Sequence, residues 1–443
     1  MNRDEVLDQL RRFESRNITQ ISEAVGWPMV WQRAKGTSVW DCSDRKYLDL
    51  TAAFGVAAAG HANPRVVAAG RRQMGTLLHA MGDVHPHPGK ARLLAELSHR
   101  TFGRWAGRGQ AKSILTGSGS ESVEAALKTA RLATGRRGVV AFEGAYHGLG
   151  YGALNATHRE HFRGRFEDQL GGFCCFLPFP GCETCDCAAT GAGCSRLENL
   201  LAGLDALPRR REVGAVLVEP IQARGGIRVP PAGFLPMLRK WCDQNGVLLL
   251  LDEVYTGFGR TGDWFACEHS SVVPDLVCLG KAMTGGFPMG ACVGRAEIMD
   301  AAWPVSDGEA IHTSTFLGHP VGCAMALAQL SELEGEGLIE RAAEEGVWLR
   351  RALTAVCGSM THLRLRPVGR GLMAGIEVRR LDGTTAGDLV IRAMHRLLAE
   401  GFILLPEGAE AQVLSLTPPL TIRRRDLARA VEAIHGCFED FDA

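Results

Sequence analysis

Two continuous apolar runs, GAVLVEPI at 214–221 and GVLLLLDEV at 246–254, constrain the fold more than any other feature. Neither alternates apolar with polar residues, so neither suits a strand with one wet face. Uninterrupted runs of this length belong to strands buried on both faces of a parallel sheet. Such a sheet needs helices on both sides. The chain supplies them. KSILT, SESVEAALKTARLATG and GVVAF read as strand, helix and strand, and RVVAAGRRQMGTLLHAM and GKARLLAELSHRTF have apolar residues at helical spacing. PDLVCLGK and PMGACVG read as two more strands of the same kind. The expectation is an open α/β sheet with ligands at the carboxyl ends of its strands.

The two ends of the chain differ in character. Residues 4–24 read as a helix, followed by a short meander punctuated by Gly and Asp. Beyond residue 322, CAMALAQLSELEGEGLIERAAEEGVWLRRALTAVC is almost all helix, and then LRLRPVG, LMAGIEVRRL, FILLP and VLSLTPP read as short strands. The reading is a large, mainly parallel-sheet domain at 64–322 and a smaller α+β domain at 323–443, with the N-terminal segment 1–63 part of the smaller one.

Lys+Arg and Asp+Glu both number 49 in 443 residues, which gives no bulk electrostatic reason to bind nucleic acid or an anionic membrane. No apolar stretch is long enough to span a bilayer. The start, MNRDEVLDQLRRFESR, lacks an apolar signal region, and thiols such as Cys278 and Cys292 lie singly inside apolar segments. Both features point to a reducing cytoplasm.

Five stretches carry chemistry. In TGSGSESVEAALK (116–128) a strand enters a Gly/Ser loop that opens a helix, so Gly119 and Ser120 offer a phosphate site. The stretch is neither a Walker loop nor a complete dinucleotide fingerprint, and a capped tight turn explains it equally well. EGAYHG (143–148) sets Tyr146 and His147 past a strand end, to stack on a planar ring or to plug the top of the sheet. LDEVYTGFGRTG (251–262) ends an apolar strand in Asp252 and Glu253. Buried carboxylates need a cation or donors. LGKAMTGGFPMGA (279–291) wedges Lys281 between an apolar strand and a Gly-rich turn, where desolvation lowers an amine's pKa and makes it nucleophilic. A lone lysine more often snorkels outward. HTSTFLGHPVGCAMAL (312–327) puts hydroxyls before a helix, ordinary capping if nothing else is near. Together, a phosphate cradle, a stacking aromatic, a strand-end Asp and an activated Lys are the parts that pyridoxal 5'-phosphate requires. Lys281 holds its aldehyde as a Schiff base and Asp252 pairs with its ring nitrogen.

These residues resemble the class III aminotransferases (ornithine, 4-aminobutyrate and glutamate-semialdehyde relatives) of the fold-type I pyridoxal-phosphate enzymes. The resemblance runs from YLDLTAAFGVAAAGHANP to the C-terminal segment. Its most specific part is DEVYTGFGRTG with Lys281 following Asp252 by 29 residues. It implies that Gly119 and Ser120 bind the phosphate, that Tyr146, with His147 beside it, stacks on the ring, and that Glu219 and Val254 line the pocket. It implies that Thr315 reaches the phosphate in a neighbouring subunit, hence an obligate homodimer, and that Phe54 contacts substrate. The reaction it implies is ping-pong transfer of an amino group from an amine or amino acid to a 2-oxo acid. A racemase, epimerase, aminomutase or decarboxylase would carry the same motifs.

The chain departs from the family where a substrate carboxylate is recognised. Leu149 follows His147-Gly148 where relatives often have Arg, and Val368 in VGRGLM takes another arginine's place. Arg366 and Arg370 flank that slot and either can substitute, with Arg370 the expected substrate contact. Arg224 in VEPIQARGG stands where many relatives have Glu, and is read as a surface residue ahead of a carboxylate partner. Cys182, Cys185, Cys187 and Cys194 have spacing that suits zinc, an iron–sulfur cluster or disulfides. Some relatives carry a comparable pair without metal, so no metal is expected.

Overall fold

The computed structural model describes residues 1–22, 27–105, 110–181, 194–207 and 209–441. Three N-terminal strands, β1 (Trp31–Lys35), β2 (Ser38–Asp41) and β3 (Lys46–Asp49), form an antiparallel meander. The central sheet follows: β4 (Ala111–Thr116), β5 (Gly138–Phe142), β6 (Cys174–Leu177), β7 (Val213–Val218), β8 (Leu248–Asp252), β9 (Leu276–Leu279) and β10 (Gly290–Arg295). Its spatial order is β4-β10-β9-β8-β7-β5-β6. β6, β5, β7, β8 and β9 pair in parallel, as their apolar runs predict. Every residue of β7 is buried, because helices cover both faces. The helix Gly119–Thr134 sets Val123, Ala126 and Ala130 against Leu217, Leu250 and Cys278 on one side. On the other, Phe234–Asn245 packs Leu235, Leu238 and Trp241 against Val216, Leu249 and Leu251. Each fully buried Leu or Val contributes about 1.5–3 kcal/mol.

PMGACVG corrects the sequence reading, since β10 runs antiparallel to both neighbours. Only Gly280–Met289 link β9 to β10, and a parallel neighbour needs a crossover of about a dozen residues or more. The N-terminal helix is also shorter than expected. It spans Arg3–Phe13, because Glu14 turns extended and Asn17 takes a left-handed φ of 69°.

The C-terminal part adds β11 (Arg364–Arg370), β12 (Met373–Arg379), β13 (Phe402–Ile403), β14 (Leu405–Glu407) and β15 (Val413–Leu416). FILLP serves two sheets. β13 pairs in parallel with β3, and β14 pairs with β15 in the sheet β11-β12-β15-β14. Residues 31–49 are thereby tied to 402–403. Among the described residues, no helix is long and apolar enough to cross a membrane.

Candidate active site

The carboxyl ends of β7, β8 and β9 open on a cavity of ≈ 420 Å³. Gly119, Ser120, Tyr146, His147, Glu219, Asp252, Val254 and Lys281 all line it. Residues from five separate stretches of sequence therefore meet in one place. Leu149, Gly150, Ala223, Arg224, Tyr255 and Thr256 complete most of the wall.

Lys281 follows β9 through Gly280 and takes a left-handed φ of 23°. Its Nζ sits 3.7 Å from the centre of the Tyr255 ring. Burial brings its ammonium down to about 8, although Asp252, Glu407 and Glu219 pull the other way. Asp252 ends β8. Its Oδ2 accepts from His147 Nδ1 at 2.7 Å and its Oδ1 from the Val254 N–H at 3.0 Å. His147 is buried, and its Nε2 has no hydrogen-bond partner among the described residues. Glu219 accepts from the Tyr146 and Ala223 N–H groups, both at 3.1 Å, which ties Tyr146 to the end of β7. Burial raises this carboxyl to about 7.

Gly119 and Ser120 are the first two residues of a 16-residue helix capped by Ser118. N–H groups at these positions have no intrahelical partner. The backbone here touches the far wall directly. A Cβ on Gly119 would come within 2.6 Å of Val254 Cγ1, and the Cβ of a residue replacing Gly280 would lie 3.2 Å from the Gly119 Cα.

These features fit pyridoxal phosphate. The helix start and its close backbone suit a dianion. A lysine that burial inclines to the neutral amine suits the aldehyde. The Asp252 carboxylate suits a protonated ring nitrogen.

Three expected residues do not line the cavity. Thr315 is exposed on the segment that enters the helix Pro320–Gly335. Phe54 is 56 % exposed, at the end of a turn in which Ala52, Ala53 and Phe54 all have positive φ. Buried Asp49 holds that turn, accepting from Thr51 N (2.8 Å), Thr51 Oγ1 (2.6 Å) and His61 Nε2 (2.6 Å). The turn presses on the site through Gly55, where a Cβ would lie 2.8 Å from the Tyr255 ring. Arg370 borders a different pocket, with Thr261, Asp263 and His269. Arg224, read as a surface residue, is instead in the cavity wall, its Nη1 3.2 Å from Glu407 Oε2.

Sequence reasoning missed Tyr255 and Glu407. Tyr255 follows the DEV of the most specific motif, so proximity could have flagged it. Glu407 had no such signal. Of the cysteine cluster, Cys182, Cys185 and Cys187 lie outside the described residues, and Cys194 is buried before the helix Ser195–Asp205.

Residues 21–438 match the family model "Aminotransferase class-III". The chain is 36% identical to the 5-aminovalerate aminotransferase DavT of Pseudomonas aeruginosa, over 93% of this chain and 94% of that one. It is 36% identical to the acetylornithine aminotransferase of Methanopyrus kandleri, over 91% and 93% respectively. An amine transaminase from an uncultivated Pseudomonas species, solved in its PLP-bound form, superposes with a TM-score of 0.84 at 28% identity, covering 95% of this chain and 97% of that one. The chain belongs to the class III aminotransferases, and its cofactor is pyridoxal 5'-phosphate.

Proposed function

We propose that this aminotransferase works by a ping-pong cycle at the cavity described, with Lys281 as acid–base and Asp252 as partner of the cofactor's ring nitrogen. The observation that carries the reading is the meeting of Lys281, Asp252 and the Gly119–Ser120 helix start in one cavity. Gly119 and Ser120 would hold the phosphate, Tyr146 would face the ring, Glu219 and Val254 would complete the wall, and Lys281 would hold the aldehyde. When bound, pyridoxal phosphate supplies an electrophilic carbon for the substrate amine and a ring that draws off the electron pair left by a departing proton.

Lys281 Nζ takes the proton from the substrate's Cα and later returns one. An amine brought to about 8 by burial suits both tasks near neutral pH. Asp252 holds its negative charge against the ring nitrogen, and His147, donating at 2.7 Å, fixes the carboxylate's orientation. The 2-oxo acid then uses the same residues in reverse. Relatives named for 5-aminovalerate and acetylornithine make amino compounds that also bear a carboxylate the first donors to test.

The working unit in this reading is a homodimer in which Thr315 completes the partner's phosphate site and Phe54 approaches substrate. Exposed apolar side chains support it. Leu78, Met81, Ile311 and Phe316 are each more than half exposed, and His79 meets the Phe316 ring at 5.4 Å, so the two segments adjoin. The pairing of β3 with β13 supports grouping residues 1–63 with 323–443 as the smaller domain. Buried free thiols at Cys242, Cys267, Cys278 and Cys292 support a cytoplasmic setting.

The test mixes holoenzyme with a panel of amines and amino acids and follows the cofactor's visible absorbance. A competent donor bleaches it, and pyruvate or 2-oxoglutarate restores it. Bleaching that no 2-oxo acid reverses would remove the ping-pong reading, and a monomer in sedimentation would remove the dimer.

A further inference from the structure

The mechanism above leaves one charged residue of the cavity wall without a task. Among the described residues lining the cavity, Arg224 carries the one guanidinium. The other arginines near the slots where relatives clamp a carboxylate are committed elsewhere. Arg366 donates twice to Glu377 Oε2, at 2.9 and 2.5 Å, and Arg370 borders a different pocket. Leu149, at the remaining slot, has no charge to offer.

Arg224 is held from across the fold. Its carbonyl accepts from Gly408 N at 3.2 Å, which fastens the β14–β15 turn to the loop after β7. Next to that contact, Glu407 Oε2 lies 3.2 Å from Arg224 Nη1. The Glu407 side chain is 4 % exposed, yet among the described residues its Oε2 makes no well-aligned hydrogen bond. The pair is thus matched in charge and incomplete in geometry. A guanidinium binds a carboxylate best through two parallel N–H···O bonds, and this one has that capacity free. Arg224 lies 5.9 Å from the Tyr146 ring, beside the place proposed for the cofactor.

We infer that Arg224 recognises the carboxylate of the substrate and that Glu407 neutralises it when no carboxylate is bound. This rests on the transaminase reading of the same cavity. It makes the site selective for amino and 2-oxo compounds that bear a carboxylate. With the pair closed, Glu407 offsets the Arg224 charge that would repel an incoming ammonium group. With a carboxylate present, Arg224 exchanges a poorly aligned partner for a bidentate one.

Calorimetric titration of the holoenzyme with glutarate, an unreactive dicarboxylate, tests this. Arg224→Gln should weaken glutarate binding by about tenfold or more, the loss of a charge-assisted contact. Glu407→Gln, which removes the internal competitor, should tighten it by about threefold. The ratio of kcat/KM for 5-aminovalerate over 1-aminopentane should fall by about tenfold in Arg224→Gln. Glutarate binding within twofold of wild type in Arg224→Gln, or unchanged or weaker in Glu407→Gln, overturns the inference, as does a wild type that binds no glutarate. If Arg224→Gln fails to fold, judged by bound-cofactor absorbance and Tm, Glu407→Gln alone decides. A wild type that transfers no amino group would instead reject the transaminase reading. Normal transfer with unaltered binding in both variants rejects this inference alone.

Discussion

Asp252 Oδ2 accepts from His147 Nδ1 at 2.7 Å in the cavity wall, while Glu253, the next residue, turns its carboxylate into the following loop and accepts from the Cys267 N–H at 2.8 Å. Glu253 also receives the Ala266 N–H at 3.0 Å and the Thr256 hydroxyl. One acid of the pair therefore faces chemistry and the other fastens a loop. Alternation along the strand sends consecutive side chains to opposite faces.

The two acids should separate in experiment. Asp252→Ala should lower kcat by several orders of magnitude, about 4 kcal/mol or more, as when one partner of a buried charge pair is removed. Its unfolding free energy should fall by a smaller amount, about 1–3 kcal/mol, because His147 Nδ1 and the Val254 N–H lose their acceptor. Glu253→Ala strands two buried N–H groups and should cost about 3 kcal/mol of stability. Chemical unfolding and steady-state kinetics on both variants check this, and an Asp252→Ala enzyme with near-normal kcat would end the assigned role.

Lys281 sets a pH dependence. Burial lowers its amine from 10.5 to about 8, so the reactive neutral form dominates above that pH and falls about tenfold per unit below it. Apoenzyme should capture pyridoxal phosphate faster as pH rises, levelling off above about 8. Lys281→Ala should show neither the capture nor any turnover. Borohydride should fix the cofactor to the peptide bearing Lys281, and labelling elsewhere would sink the assignment.

Gly119 offers a steric test. A Cβ there meets Val254 Cγ1 at 2.6 Å and Cγ2 at 3.0 Å, too close for a branched side chain to yield by a small shift. Gly119→Ala should weaken cofactor binding through about 1–3 kcal/mol of overpacking. Adding Val254→Ala removes the clash and should recover most of the affinity, read as the dissociation constant of pyridoxal phosphate. No recovery would mean that the helix start is not packed as described.

What the sequence disclosed depended on the distance over which each signal acts. β7, β8 and the residues at their ends were legible because burial on both faces writes a local pattern, and Lys281 because a Gly-rich turn follows an apolar strand. The reversal of β10 was legible in principle, since ten residues are too few for a parallel crossover. The pairing of Arg224 with Glu407 was not. It joins the loop after β7 to the end of β14 through space, and neither segment alone carries a mark of the other. The split of FILLP between two sheets was hidden for the same reason, because strand partners are chosen by the whole fold.

Thr315 provides the sharpest test of the dimer. The helix start at Gly119 and Ser120 meets part of a phosphate dianion, and the remaining oxygens need further donors. Thr315 is exposed and does not line the cavity of its own chain. In the proposed homodimer it serves the partner's site, so Thr315→Ala should raise the cofactor's dissociation constant by about tenfold, as when a bond of about 1.5 kcal/mol is lost. A hybrid dimer with Lys281→Ala in one subunit and Thr315→Ala in the other separates the two arrangements. The single remaining lysine belongs to the subunit that lacks the threonine. If the threonine acts across the interface, the partner supplies it, and the hybrid holds cofactor at that lysine as tightly as wild type. If it acts within its own chain, that site binds as weakly as the Thr315→Ala homodimer, and the shared active site is ruled out.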